Sequence, residues 1–342
     1  MTGFKSYFSA HVRSNLKPLM YIVIIVLSLS FIMGISGQPY EEWDHGTGTT
    51  FKDYHATLYI PVLFLCILAY VVPVMEFSFF KKRRNLDCAY SLPISRKAMG
   101  LVHYLSGAIT VIGTFTLSYL LNFTLLLTRG ASYFNFPPML ANYFLCVLLG
   151  LMMYSVMVFV FNEANTTADG IWFMLLWSFI LPLAMLAIET VADNWYLFDA
   201  EYCAIPWGVI DLMTSTYQYI VEKGNLEFAT FWQKPECIFW LIAWIVIGIS
   251  AAVGSYLTFG KRRMELTEEI SDSFFGFRLL IPAYAVAGML AFTEFDTAIA
   301  WVIIELLAFV GYTIYRRGFH YKKSDLIILA AMIVFLFLGY AN

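Results

Sequence analysis

The chain contains few charged residues. Asp, Glu, Lys and Arg make up 13% of its 342 residues, whereas about 25% is usual in a soluble domain. No polar stretch is long enough to form a separate soluble domain, and 60% of the residues are hydrophobic. Such a composition is typical of a polytopic membrane protein, whose helices are surrounded by lipid. We therefore expect an all-α membrane fold.

Motifs of catalytic chemistry are also missing. The sequence has no G-x-x-x-x-G-K-[ST] stretch, so this chain has no P-loop with which to hydrolyse ATP. No His/Glu cluster within the spans and no Ser/His pair is evident, so we expect the chain not to be an enzyme and to bind no cofactor. The basic clusters are small and are accounted for by anionic lipid, so we expect no nucleic-acid partner.

Cysteine is scarce, with five residues in the chain and no pair at metal-ligand spacing. Cys203 and Cys237 share one predicted outer segment, so a disulfide between them stays open. An acidic loop after the first span offers four potential metal ligands: Asp44, His45, Asp53 and His55. Their spacing matches no known metal site, so we expect a solvated loop and predict no metal site.

The chain does contain a series of apolar runs long enough to cross a bilayer. We predict about nine spans, with a six-span core at residues 18–260 and additional transmembrane helices at 261–342. Nearly all Lys and Arg residues fall in alternate connections, as expected of cytoplasmic loops. We therefore expect a multi-pass membrane protein with its N terminus inside and its C terminus outside. Whether the last apolar run spans the membrane stays open.

Two segments outside the spans have a distinctive composition. In residues 1–17, apolar side chains recur at helical spacing between polar ones, which predicts an amphipathic helix in the inner membrane interface. We expect Pro18 to turn the chain into the first span. The large outer segment at residues 189–236 mixes acidic and aromatic side chains, which predicts either a re-entrant segment or a small folded cap.

The most distinctive stretch is residues 81–97, between the second and third spans. It opens with the basic run K-K-R-R, and residues 85–91 then provide about two helical turns before a proline. Leu86, Ala89 and Tyr90 fall at positions i, i+3 and i+4, so the predicted short helix has one apolar side. Such a helix is either a docking surface for a soluble partner or a basic membrane anchor.

The order of residues in this stretch resembles the coupling-helix region of ABC-2 type permeases, the membrane subunits of bacterial ATP-binding-cassette transporters. The run Y-S-L-P-I-S-R, from Tyr90 to Arg96, carries the resemblance most specifically. Looser agreement extends to about residue 263, because the family also has an interfacial N-terminal helix and a re-entrant outer segment between spans five and six. Residues 261–342 depart from the family's six-span unit.

The resemblance implies an ABC-2 exporter-like fold and a permease subunit that exports an amphipathic peptide or lipid-like substrate. A separate ABC ATPase subunit, carrying ATP and Mg, would dock at the coupling helix. A second permease subunit, identical or related, would complete the transporter, with membrane lipids around both. The residues expected to couple to the ATPase are Leu86, Asp87, Tyr90, Leu92, Pro93 and Arg96.

Ionisable residues in or beside the spans are the remaining candidates. Glu305 lies near the middle of the predicted eighth span, where a charge is costly, so it is either structurally paired or part of a transport pathway. An ion- or proton-coupled secondary transporter using Glu305 is therefore the alternative function. Glu76 adjoins the basic run, and we predict a local ion pair with Arg83 or Arg84. His103 is expected at the membrane interface.

Overall fold

Most of the chain is helical. The computed structural model describes residues 2–36, 40–44, 49–53, 55–129, 136–191, 208–210, 213, 235–261, 264–291 and 297–340. Within them, one antiparallel hairpin pairs strand β1 (Tyr40–Asp44) with strand β2 (Thr49–Asp53). The predicted all-α fold is thus confirmed except in this acidic loop. Cys203 and most of the outer segment at 189–236 lie outside the described residues, so a disulfide and the choice between a re-entrant segment and a folded cap stay open.

Ten helices of the described residues are numbered here in chain order. They are α1 (Thr2–Ser36), α2 (His55–Phe77), α3 (Arg83–Tyr90), α4 (Arg96–Arg129), α5 (Phe136–Glu163), α6 (Thr167–Val191), α7 (Pro235–Lys261), α8 (Phe277–Ala291), α9 (Thr297–Arg316) and α10 (Lys323–Tyr340). A single 3₁₀ turn, Ser78–Lys81, joins α2 to α3.

Six described helices are long and apolar enough to cross a membrane, namely α1, α2, α4, α5, α6 and α7. They follow the order of the first six predicted spans, and the apolar part of α7 ends at Gly260. Helix α8 has only 15 residues, and α9 and α10 follow it. The chain is therefore a multi-pass helical membrane protein.

Helix α1 runs through Pro18 without interruption, so the turn predicted there is wrong. Proline removes one backbone N–H group, but neighbouring helices make it tolerable inside a membrane helix. Here α4 and α2 pack against α1. The predicted interfacial helix, residues 1–17, is consequently the first part of the same rigid helix that forms the first span.

A polar stripe on α4 helps to hold α1 in place. It consists of buried residues four positions apart: Ser106, Thr110, Thr114, Ser118 and Asn122. The hydroxyl groups of Ser118 and Ser30 are 2.7 Å apart, which makes a hydrogen bond between α4 and α1. At Gly34 a Cβ atom would lie 2.9 Å from Asn122 Oδ1, so the two helices approach too closely for a larger residue. Small residues and polar side chains are what join helices in lipid, where hydrophobic association is weak.

The buried residues that the structure describes form one main core, one smaller core and a minor cluster of three alanines between α6 and α8. The main core joins α1 through α7 and reaches α8, with α5 packed extensively on α7 and α2 packed between α4 and α5. The smaller core joins α8, α9 and α10, and α8 attaches this unit to α6. The last three helices are thus a distinct layer on the six-span core.

The connections predicted on the inner side of the membrane lie at one end of the helix bundle. Lys81 contacts the turn between α5 and α6, and Arg83 contacts residues 265–269. Asp272 accepts a hydrogen bond from Tyr315 near the end of α9. This clustering agrees with the charge pattern, which assigns these connections to the same side.

Candidate functional site

The short helix predicted at residues 85–91 is present as α3, Arg83–Tyr90, and starts two residues earlier than expected. Its role as a coupling helix stays a prediction. It lies between two span-length helices, as the sequence predicts. A turn follows it and contains Pro93, which has no backbone N–H with which to continue a helix.

Leu86 does not lie on an exposed docking face. Its relative exposure is 1%, and it belongs to the main core together with Phe80 and Met99. Leu86 was expected among the residues that couple to the ATPase, and its burial in the chain's own core excludes it from an exposed docking surface. An amphipathic pattern shows that one side of a helix is apolar, but the fold decides what covers it, and here the chain covers it itself.

The other predicted coupling residues have a different environment. Leu92 is 40% exposed, and Asp87, Pro93 and Arg96 are also exposed. The side chain of Tyr90 lies outside the described part of the chain, so its role stays a prediction. Together with the exposed Arg84, these residues form a surface that we call the α3 surface: Arg84, Asp87, Leu92, Pro93 and Arg96.

Lys81 attaches α3 to the neighbouring helix α5. Its side chain is buried, with 2% exposure. Its Nζ atom donates a hydrogen bond to the carbonyl of Phe161 at 2.8 Å and another to the carbonyl of Ala164. A cation at this position also interacts favourably with the negative end of the α5 dipole. The first residue of the basic run is therefore a helix cap rather than a lipid anchor.

Arg83 attaches the start of α3 to the segment after α7. Its Nε atom donates to the carbonyl of Thr267 at 2.8 Å. Its Nη2 atom donates to the carbonyl of Glu265 and to the carboxylate of Glu269, both at 3.3 Å. Arg83 is thus engaged away from Glu76, and the ion pair predicted between them is wrong.

Glu76 instead lies between two histidines. It is 4% exposed. Its Oε2 atom is 2.9 Å from Nε2 of His11 and 3.2 Å from Nδ1 of His103. The hydroxyl of Ser106 donates to the other carboxylate oxygen, Oε1, at 3.0 Å. Because Glu76 is on the side of α2 that packs on α4 and α1, the basic run beyond α2 does not reach it.

His103 is buried among neighbouring helices, with 4% exposure, and its expected position at the membrane interface stays a prediction. Its Nε2 atom lies 3.2 Å from the hydroxyl of Tyr7, and its ring lies 4.0 Å from that of His11, centroid to centroid. Asn15 is also close, with its amide nitrogen 3.1 Å from His11 Nε2. All of these groups come together because α1 packs on α4 at this end.

His11, Glu76 and His103 therefore form a compact cluster, which we call the His–Glu cluster. Their three potential ligand atoms lie within 4.8 Å of one another. An imidazole nitrogen can lie this close to a carboxylate oxygen when it carries a hydrogen that it donates, or when a cation lies between the two atoms, so this geometry fits either two N–H donors or a bound cation. The prediction that the spans contain no His/Glu cluster is wrong.

Sequence reasoning missed this cluster because it assigned no role to His11. A usable signal was present, since Glu76 and His103 both fall near the predicted inner ends of consecutive spans. His11 falls in the N-terminal helix that was also assigned to the inner side. What the sequence could not show is that all three point toward one another.

The His–Glu cluster and the α3 surface border the same cleft. The cleft has a volume of about 800 Å³ and is lined by all three cluster residues. Leu92 of the α3 surface lines it too, with Lys82 just before α3 and Asn85 within α3. A substitution in α3 and a substitution in the His–Glu cluster would therefore both alter this cleft.

Glu305 lies apart from these features. It is partly buried on α9, with exposed apolar neighbours such as Leu306 and Leu307. Among the residues that the structure describes, none forms a hydrogen bond or ion pair with it. Both roles considered for Glu305 stay predictions.

Comparisons of the chain with protein-family models, with curated proteins and with solved structures found no match.

Proposed function

We propose that this chain is the membrane subunit of an ATP-driven ABC transporter that exports an amphipathic peptide or lipid-like substrate. The observation that carries the proposal is helix α3, a short helix fastened between two span-length helices at the charged end of the bundle. It agrees in position with the coupling helix that the run from Tyr90 to Arg96 resembles.

The attachments of α3 support a mechanical role. Lys81 connects it to the end of α5, Arg83 connects it to residues 265–269, and Leu86 inserts into the main core. A force applied to the α3 surface would therefore act on several helices together. An isolated membrane anchor would not need these three separate attachments.

The partners follow from the same proposal. A separate ATPase subunit, with ATP and Mg, docks on the α3 surface, and a second permease subunit completes the assembly. The end that carries α3 is cytoplasmic because the Lys/Arg-rich connections meet there. The chain then has nine spans in a bacterial plasma membrane, with α8, α9 and α10 added to the six-span unit and the C terminus outside.

The experiment is purification of the chain with its native partners, among which we expect an ATPase subunit with a P-loop. Asp87→Lys and Arg84→Glu each reverse a charge on the exposed side of α3 while Leu86 stays in the core. We expect each variant to weaken ATPase association about tenfold or more, which corresponds to about 1.4 kcal/mol.

Lys323→Glu is the matched control, because Lys323 is an exposed cation at the start of α10, away from α3. This variant should bind the ATPase normally. Equal recovery of an active ATPase with all three variants would contradict the proposal and would leave α3 as a membrane anchor.

A further inference from the structure

We propose that His11, Glu76 and His103 bind a divalent transition-metal ion with the preferences of Zn²⁺. The inference rests on the geometry of the His–Glu cluster and is independent of the proposed transport function. The ion would join α1 to α2 and α4 at the end of the bundle that carries α3.

The ligand set is the first argument. Two imidazole nitrogens and one carboxylate oxygen form a common set for Zn²⁺ sites that keep one position open. Bonds of about 2.0 to 2.2 Å in a tetrahedral site separate the ligand atoms by about 3.3 to 3.5 Å. Here the two imidazole nitrogens lie 2.9 and 3.2 Å from Oε2 of Glu76. All three ligand atoms lie within 4.8 Å of one another, so side-chain rotations that bring the two imidazole nitrogens nearer to each other and move both slightly away from Oε2 would admit the ion.

The surrounding hydrogen bonds are the second argument. Metal-binding imidazoles usually donate their other nitrogen to an oxygen, and ligating carboxylates are held by further hydrogen bonds. The nitrogen of His103 that faces away from Glu76 lies 3.2 Å from the Tyr7 hydroxyl. Ser106 holds Oε1 of Glu76, which leaves Oε2 for the ion. This arrangement fixes two of the three ligands before any ion binds.

Burial and access are the third argument. The side chains of Glu76 and His103 are 3% and 5% exposed and that of His11 is 10% exposed, so few water molecules compete for these ligands. All three nevertheless line the cleft of about 800 Å³, which provides an entry path. With three protein ligands, the fourth position of a tetrahedral ion would face this cleft and accept water or a polar group.

Cobalt titration of the purified, chelator-treated chain tests the proposal. Co²⁺ in a four-coordinate site with nitrogen and oxygen ligands gives a visible absorption band that Zn²⁺ abolishes on exchange. We expect one Co²⁺ per chain. Glu76→Gln, which keeps the size of the side chain and loses its charge, should lower the affinity at least tenfold. His103→Gln should do the same.

His320→Gln is the matched control, because His320 is exposed in the connection between α9 and α10. This variant should bind Co²⁺ as the native chain does. If His103→Gln fails to fold, Tyr7→Phe keeps all three ligands and removes only the hydroxyl near His103. We expect Tyr7→Phe to bind Co²⁺ about 10- to 100-fold more weakly.

Thermal unfolding supplies a second readout, because an ion that binds only the folded chain raises the unfolding midpoint. Zn²⁺ should raise the midpoint of the native chain and of His320→Gln but not that of Glu76→Gln. No stoichiometric Co²⁺ band, or the same affinity in Glu76→Gln and His320→Gln, would overturn the proposal. The cluster would then be held together by hydrogen bonds, without a metal ion.

Discussion

The Nζ atom of Lys81 donates a hydrogen bond to the backbone carbonyl of Phe161 at 2.8 Å. Lys81, the last residue of the 3₁₀ turn before α3, is thereby fixed to the last turn of α5. The same ammonium group lies 4.9 Å from the centre of the Phe161 ring, so it has both a carbonyl and an aromatic partner. This contact makes the position of α3 depend on a helix that is distant in the sequence.

Replacing Lys81 by Met should destabilise the chain. The substitution keeps an apolar stem of similar length but leaves buried carbonyl groups at the end of α5 without their charged donor, at a cost of about 1.5 to 3 kcal/mol. Thermal unfolding of the purified chain measures the effect. Lys82→Met is the control, because Lys82 is exposed, and should change stability by about 0.5 kcal/mol or less. Equal effects of the two substitutions would show that Lys81 is not a cap.

Substitutions at Leu86 and at Leu92 should distinguish an effect on folding from an effect on ATPase docking. Leu86→Ala removes a core side chain and should destabilise the chain itself by about 2 to 5 kcal/mol. Leu92→Ala, at a position that is 40% exposed, should leave stability nearly unchanged while weakening ATPase association. Unfolding of the chain alone and co-purification of the ATPase measure the two effects. A stable Leu86→Ala variant that has lost only the ATPase would restore the original prediction for Leu86.

Gly248 should be intolerant of even one added methyl group. A Cβ atom at this position of α7 would lie 2.8 Å from the Cα atom of Met152 in α5, so the backbones would have to separate. We expect Gly248→Ala to cost about 1 to 3 kcal/mol of stability. Gly113→Ala provides the control, because no atom lies within 4 Å of the added group. It should be neutral or slightly stabilising, since alanine favours the helix. A neutral Gly248→Ala would mean that α5 and α7 pack less closely.

Glu305→Gln tests the alternative of an ion- or proton-coupled transporter. The described residues include no partner for Glu305, so removing its charge should leave the chain folded, as measured by thermal unfolding. Transport of cargo at equal expression is the second measurement. Unchanged transport would rule out the alternative that uses Glu305. Loss of folding would instead reveal a structural pair with a residue outside those described.

Local sequence pattern was sufficient to predict the order of the first six spans and the short helix between the second and third, near residues 85–91. Both follow from apolar runs, charge placement and proline, each of which acts over a few turns. The hairpin of β1 and β2 was missed because an acidic loop without an apolar run carries no comparable signal. The continuity of α1 through Pro18 was missed because helix packing overrides the local effect of proline.

The candidate site was predicted less well, for a physical reason. Residue spacing identified the apolar side of α3, yet only the packing of the helices showed that Leu86 is covered by its own chain. Likewise, the charge of Glu76 and the proximity of Arg83 in sequence favoured a local ion pair. Tertiary structure decided otherwise, because α1 and α4 place His11 and His103 closer to the carboxylate than the basic run can reach. The sequence by itself thus determined the order of the six membrane-length helices, and the contacts between helices determined which of their polar groups meet.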